Sequence, residues 1–150
     1  MIRRLRDEEV DDLIDVWLSS TIPGQSFLPE EQWRAMEGDV RDQLLPIADT
    51  WVVEEDGKLV AFMSVIDDLI GELFTHPDHQ GRGHGRALLE RTRLRRDPVF
   101  VEVFEANERA IGFYRSSGFV DHEARVDEES GLPQLILRLE NPVGTDGARD

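Results

Sequence analysis

Residues 73–90, LFTHPDHQGRGHGRALLE, constrain the fold more than any other stretch. An apolar strand ends there, Pro77 interrupts it, and Gly81, Gly83 and Gly85 alternate into an amphipathic helix. Alternate glycines at a helix start let the backbone approach a ligand closely and leave several amide N–H groups pointing one way, towards an anion. Arg82 and Arg86 add positive charge. A phosphate or pyrophosphate site follows. It is not a Walker loop, because Arg86-Ala87 stand where Lys and Ser or Thr are needed. It is not a dinucleotide fingerprint either, because Arg86 or Leu88 occupies the last glycine position and the motif falls too late for a first βα turn.

The pattern around this segment predicts the order βααβββαβαββ. Residues 2–6 alternate as a strand, and Asp7 is placed to cap a helix over 8–18. A second helix is expected from Pro29 to Leu45. TWVVEE and KLVAFMSVI flank Asp56-Gly57, a dipeptide suited to the positive φ angles of a tight hairpin. Strands are expected at 69–75, 99–104, 119–125 and 135–139, with helices at 83–96 and 108–117. The strands flanking the 83–96 helix form a βαβ crossover within an otherwise hairpin-connected sheet. The fold class is therefore α/β (α+β), with a mixed, mostly antiparallel central sheet of about seven strands and about four helices. One domain over 1–140 and a loose tail over 141–150 complete the expectation.

Composition narrows the function. A net charge of −15 repels polyanions, which disfavours nucleic acid or an anionic membrane as partner and favours a cationic one. No apolar run approaches the roughly 20 residues of a transmembrane helix, and the N-terminus lacks a signal-peptide pattern. A cytoplasmic protein is expected. Without cysteine, disulfides, thiolate metal sites and a Cys nucleophile are excluded together. His76, His79 and His84 resemble a metal cluster only superficially, since no acidic ligand set accompanies them, and no metal is expected.

Gln80-Gly81-Arg82-Gly83-His84-Gly85 matches the Gln/Arg-x-x-Gly-x-Gly/Ala signature of the GNAT superfamily of acetyl-CoA-dependent N-acetyltransferases. Downstream, Asn107, Ala110, Phe113-Tyr114 and Gly118-Phe119 resemble that family's Asn-x-x-Ala-x-x-Phe-Tyr-x-x-x-Gly-Phe segment. The two motifs stand in the family's order, one strand apart. The chain resembles the small bacterial members of the YjaB type. The resemblance implies a GNAT-like fold, acetyl-CoA as acyl donor and acetyl transfer to a primary amine; with no cysteine to carry an acyl-enzyme, direct transfer in a ternary complex is expected. The alternative is a non-catalytic acetyl-CoA-binding regulatory module, which turnover across an amine panel would separate from an enzyme.

On that resemblance, coenzyme A's pyrophosphate lies against the amides of residues 82–86. Its pantetheine arm pairs with the strand backbone at Leu73, Phe74 and Thr75, as an added strand would. Gln80, Gly81, Arg82, Gly83, His84, Gly85, Arg86, Asn107, Ala110 and Phe113 complete the cofactor-binding set. Tyr114, the only tyrosine, matches the residue that protonates the departing thiolate; packing near Phe113 and Phe119 is its plainer role. Asn107 also suits an N-cap. Glu72 is the first choice of general base, with Asp67, Asp68, Glu102 and Glu105 as competitors. Trp17, Phe27 and Leu28 are candidates for the acceptor pocket, with core packing the first reading of Trp17.

Overall fold

The computed structural model describes residues 1–93 and 98–140. Its strands are β1 (Ile2–Arg4), β2 (Asp49–Glu55), β3 (Lys58–Ile66), β4 (Leu69–Thr75), β5 (Val99–Phe104), β6 (Val120–Val126) and β7 (Pro133–Leu139). The helices are α1 (Val10–Gly24), α2 (Glu30–Ala35), the single turn α3 (Glu37–Asp39), α4 (His84–Arg93) and α5 (Glu108–Ser116). The strands hydrogen-bond in the order β1-β2-β3-β4-β5-β7-β6. The pairs β1–β2, β2–β3, β5–β7 and β6–β7 are antiparallel, whereas β4–β5, on either side of α4, is parallel. This is the mixed α/β sheet that the hydrophobic pattern predicts. The chain divides into two compact units, Met1–Asp67 with Gly71–Leu89, and Asp68–Ile70 with the residues from Glu90 onward.

In the first unit, Leu13, Ile14, Val16 and Trp17 of α1 are buried, as are Val52, Val60, Ala61, Phe62, Met63 and Val65 of the β2–β3 hairpin. The hairpin closes on Asp56 (φ 52°) and Gly57 (φ 79°), as the Asp-Gly pair predicts. Its register pairs Val53 with Ala61 but Glu54 with Leu59, so Val60 is an extra residue on β3. The Val60 carbonyl, released from the ladder, accepts the His76 N–H at 2.8 Å and anchors the chain as it leaves β4.

Helix α1 runs past the expected end at residue 18. In the added turns Ser20 Oγ donates to the Val16 carbonyl (2.6 Å) and Thr21 Oγ1 to that of Trp17 (2.8 Å). Hydroxyls satisfied four residues back need no water, so the helix continues to Pro23-Gly24. Asp7 is not a cap. It lies inside a 3-10 turn, Asp7–Glu9, and the carboxylate of Glu9 accepts the Arg6 N–H at 2.9 Å. The expected 29–45 helix is broken at Met36 (ψ −8°) and widens into a π-helical turn over Val40–Leu44, with Gly38 weakening the stretch between.

In the second unit, β5 alternates buried Val99, Val101 and Val103 with Phe100, Glu102 and Phe104. It takes β7 as its antiparallel neighbour, and β6 pairs on the far side of β7. Helix α5 buries Ile111 and Tyr114. The last turn expected for the 83–96 helix and the expected 141–150 tail lie outside the described residues. Among the described residues no helix is long and apolar enough to cross a membrane.

Candidate active site

The residues singled out from the sequence fall into two groups, one in each unit. The first group begins on β4. Its parallel ladder to β5 consists of Leu69↔Phe100 and Ile70↔Val101, so from Gly71 onward the β4 edge on that side has no ladder partner among the described residues. Glu72, Leu73, Phe74 and Thr75 occupy this stretch and are half-buried. The Thr75 carbonyl accepts Gln80 Nε2 at 3.2 Å and lies 3.0 Å from Ser20 Oγ, whose proton goes to Val16. The Phe74 ring lies 5.9 Å from that of Phe62.

Glu72 shares the Phe74 face of β4 by strand alternation. No described residue donates a hydrogen bond to its carboxylate or pairs with it. It retains some accessible surface, yet the protein atoms packed around the carboxyl strip enough water to push its pKa up to about 8. The competitors stand in ordinary surroundings. Asp67, Asp68 and Glu105 are exposed, and Glu102 is ion-paired with Arg125.

After β4, the 3-10 turn Pro77–His79 leads through Gly81 (φ 80°) and Gly83 (φ 83°) into α4. A side chain at either glycine would meet nothing within 4 Å, so both present open space as well as a backbone that L-residues adopt poorly. The first bond of α4 is Ala87 N–H to the Gly83 carbonyl at 3.0 Å. The N–H groups of His84, Gly85 and Arg86 precede it and are left for an external acceptor. Gln80, Arg82 and Arg86 are exposed. The loop therefore has the geometry of an anion cradle, and coenzyme A's pyrophosphate fits its donor set.

One residue here escaped the sequence reading. Glu55, at the end of β2, accepts Arg82 Nη1 at 3.0 Å. His84 Nε2 lies 2.9 Å from the same carboxylate, too poorly aligned for a hydrogen bond, and His79 Nε2 lies at 3.8 Å. The signal was faint, a Glu just before the Asp-Gly turn. Among the described residues no group of three or more His, Cys, Asp or Glu side chains is arranged to hold a metal ion.

In the second group Asn107 caps α5, accepting the Ala110 N–H at 3.2 Å. Tyr114 is 5% exposed, its ring edge-on to Phe113 and Phe119, each at 5.3 Å. Arg115 forks onto Asp121 at 2.9 to 3.2 Å. Of the acceptor-pocket candidates in the first unit, Trp17 and Leu28 are core residues, 2% and 6% exposed. Phe27 is half-buried, its ring 6.1 Å from that of Trp33.

Comparison with known proteins decides the family. A family model described as an acetyltransferase (GNAT) domain matches residues 46–121. The peptidyl-lysine N-acetyltransferase YiaC of Escherichia coli (strain K12) is 35% identical over 138 residues, covering 91% of this chain and 94% of that protein. The chain belongs to the GNAT acetyltransferases. It is an acetyl-CoA-dependent N-acetyltransferase of that family. The peptidyl-lysine N-acetyltransferase YjaB of the same organism is 37% identical over 140 residues, 92% of this chain and 94% of that one. The solution structure of apo-form YjaB superposes with a TM-score of 0.82 at 35% identity, over 92% of this chain and 95% of that chain. A PaiA N-acetyltransferase from Thermoplasma acidophilum in complex with coenzyme A, at 18% identity, shares the GNAT fold with a TM-score of 0.77 over 94% and 98% of the two chains.

Proposed function

We propose that this GNAT enzyme acetylates the ε-amine of lysine in a peptide or protein, by direct attack of the amine on acetyl-CoA. The observation that carries the reading is Glu72: a carboxyl without partners among the described residues, its pKa raised to about 8, on the strand whose backbone edge is open beyond Ile70. A base poised there matches the task of taking a proton from an alkylammonium at mildly alkaline pH. The peptidyl-lysine activity in the names of YiaC and YjaB supports the acceptor class. The net charge of −15 favours a cationic acceptor.

In this mechanism the N–H groups at the start of α4 hold the pyrophosphate, and the backbone of Leu73, Phe74 and Thr75 holds the pantetheine amides. Glu72 accepts a proton from the lysine ammonium, directly or through water. The neutral nitrogen attacks the thioester carbonyl, the C–N bond forms, the C–S bond breaks, and Tyr114 protonates the thiolate. The products are the ε-acetyl amide and coenzyme A thiol, with one proton released to solvent. The absence of cysteine supports direct transfer over a thioester-linked acyl-enzyme.

Incubation with acetyl-CoA and a lysine-containing peptide tests the proposal. Thiol release should match, one for one, acetylation mapped to the ε-amine. Acetyl-CoA binding without transfer to any lysine peptide, or transfer confined to free polyamines, contradicts it.

A further inference from the structure

The first unit gathers three nitrogen-bearing side chains on a carboxylate that the transfer mechanism does not use. Glu55 holds Arg82 at 3.0 Å and has the imidazoles of His84 and His79 at 2.9 and 3.8 Å. It reaches them because the Asp56-Gly57 turn places the hairpin tip beside the glycine loop, 27 residues further along the chain. Arg82 stands between Gly81 and Gly83, the two positive-φ residues of that loop. The same cation is thus offered to a pyrophosphate on the loop amides and is already taken by a carboxylate.

We propose that Glu55 is an affinity-setting residue of the donor site, holding Arg82 when no donor is bound and yielding it to the pyrophosphate of coenzyme A on binding. The proposal rests on the reading of residues 81–86 as the pyrophosphate loop. The exchange is physically cheap. The Arg82 and Glu55 side chains are 54% and 29% exposed, and ion pairs of that kind contribute little. A pyrophosphate carries more charge and forms stronger charge-assisted hydrogen bonds with guanidinium. Glu55 is not stranded when Arg82 leaves, because its side chain is 29% exposed and solvent hydrates the carboxylate. Breaking the Glu55–Arg82 pair is set against the new phosphate contact, which holds donor affinity down and returns Arg82 to Glu55 as coenzyme A leaves.

The test is calorimetric titration of the full chain with acetyl-CoA and with coenzyme A. Glu55→Gln should bind both about threefold more tightly, the scale of a partly exposed ion pair. Glu55→Ala is the second variant should the amide make new contacts. The gain should vanish in the Arg82→Gln background. Asp56→Asn removes one adjacent charge without touching Arg82, and Asn accepts the left-handed backbone found there, so its affinity should match the wild type. Unchanged or weaker binding by Glu55→Gln, or equal tightening by Asp56→Asn, overturns the proposal. Gly83→Val separates the two levels. If it weakens binding while Glu55→Gln has no effect, the loop reading stands and the Glu55 exchange falls. If Gly83→Val leaves affinity unchanged, both fall.

Discussion

Asn107 accepts the backbone N–H of Ala110 on its side-chain oxygen at 3.2 Å, and so caps the helix that carries Tyr114. Residues of a family motif need not act on ligand to be required. A cap that fixes the first turn of α5 also fixes the direction in which the helix presents its buried face.

Removing that cap should cost stability. Asn107→Ala leaves the Ala110 N–H without its acceptor and is expected to lower unfolding free energy by about 1 kcal/mol, whereas Asn107→Asp retains an oxygen and should lose less. Denaturant midpoints at constant m-value measure both. An alanine variant as stable as the wild type would mean that solvent replaces the cap at no cost.

Tyr114 separates packing from chemistry. Tyr114→Phe keeps the ring between Phe113 and Phe119 and deletes only the hydroxyl. Acetyl-CoA affinity should stay near wild type while kcat falls about 100-fold where thiolate protonation limits the rate. An unchanged kcat, in an assay limited by chemistry, would reduce Tyr114 to a packing residue.

Much of this architecture was legible in the chain. The Asp-Gly turn, the alternation of VFVEVF and the glycine-led helix each express one local rule, and the structure follows them. What escaped depends on contacts distant in sequence. Glu55 looks like a solvated hairpin end until the turn brings it beside Arg82. The insertion of β7 between β5 and β6 follows composition: the polar VDHEARV of β6 is exposed along its length at the edge, and the apolar PQLILRL of β7 lies inside. Trp17 reads first as a core residue from its helical spacing, and its burial agrees.

The N-terminal strand carries a pH-dependent tie. Arg3 donates to Glu9 at 2.7 and 2.9 Å and to Glu54 at 2.9 Å, and the Arg3 bond holds the Glu9 carboxyl down to about 2 from its ordinary 4.5. A depressed carboxyl stabilises the fold fully above the unfolded value and loses that contribution as pH falls through about 2. Glu9→Gln should therefore be less stable near neutrality by about 1–2 kcal/mol, a figure discounted for screening of a pair still open to salt. The gap to wild type should close towards pH 2. Parallel stability curves over the acid range would show that Glu9 contributes shape and not charge.

The pH profile of acetyl transfer to a lysine peptide, measured under single-turnover conditions with saturating acetyl-CoA, tests the central claim most directly. Because the Glu72 carboxyl is raised to about 8, it is protonated and inactive as a base below that value and ionised above it. The wild-type rate should rise through an apparent pKa of about 8, well below the roughly 10.4 of free lysine. Glu72→Gln should lose that limb and retain only a slower rise tracking the acceptor's own ionisation. A wild-type limb near 8 that persists in Glu72→Gln at an undiminished rate would contradict the account and assign the proton to another group or to water.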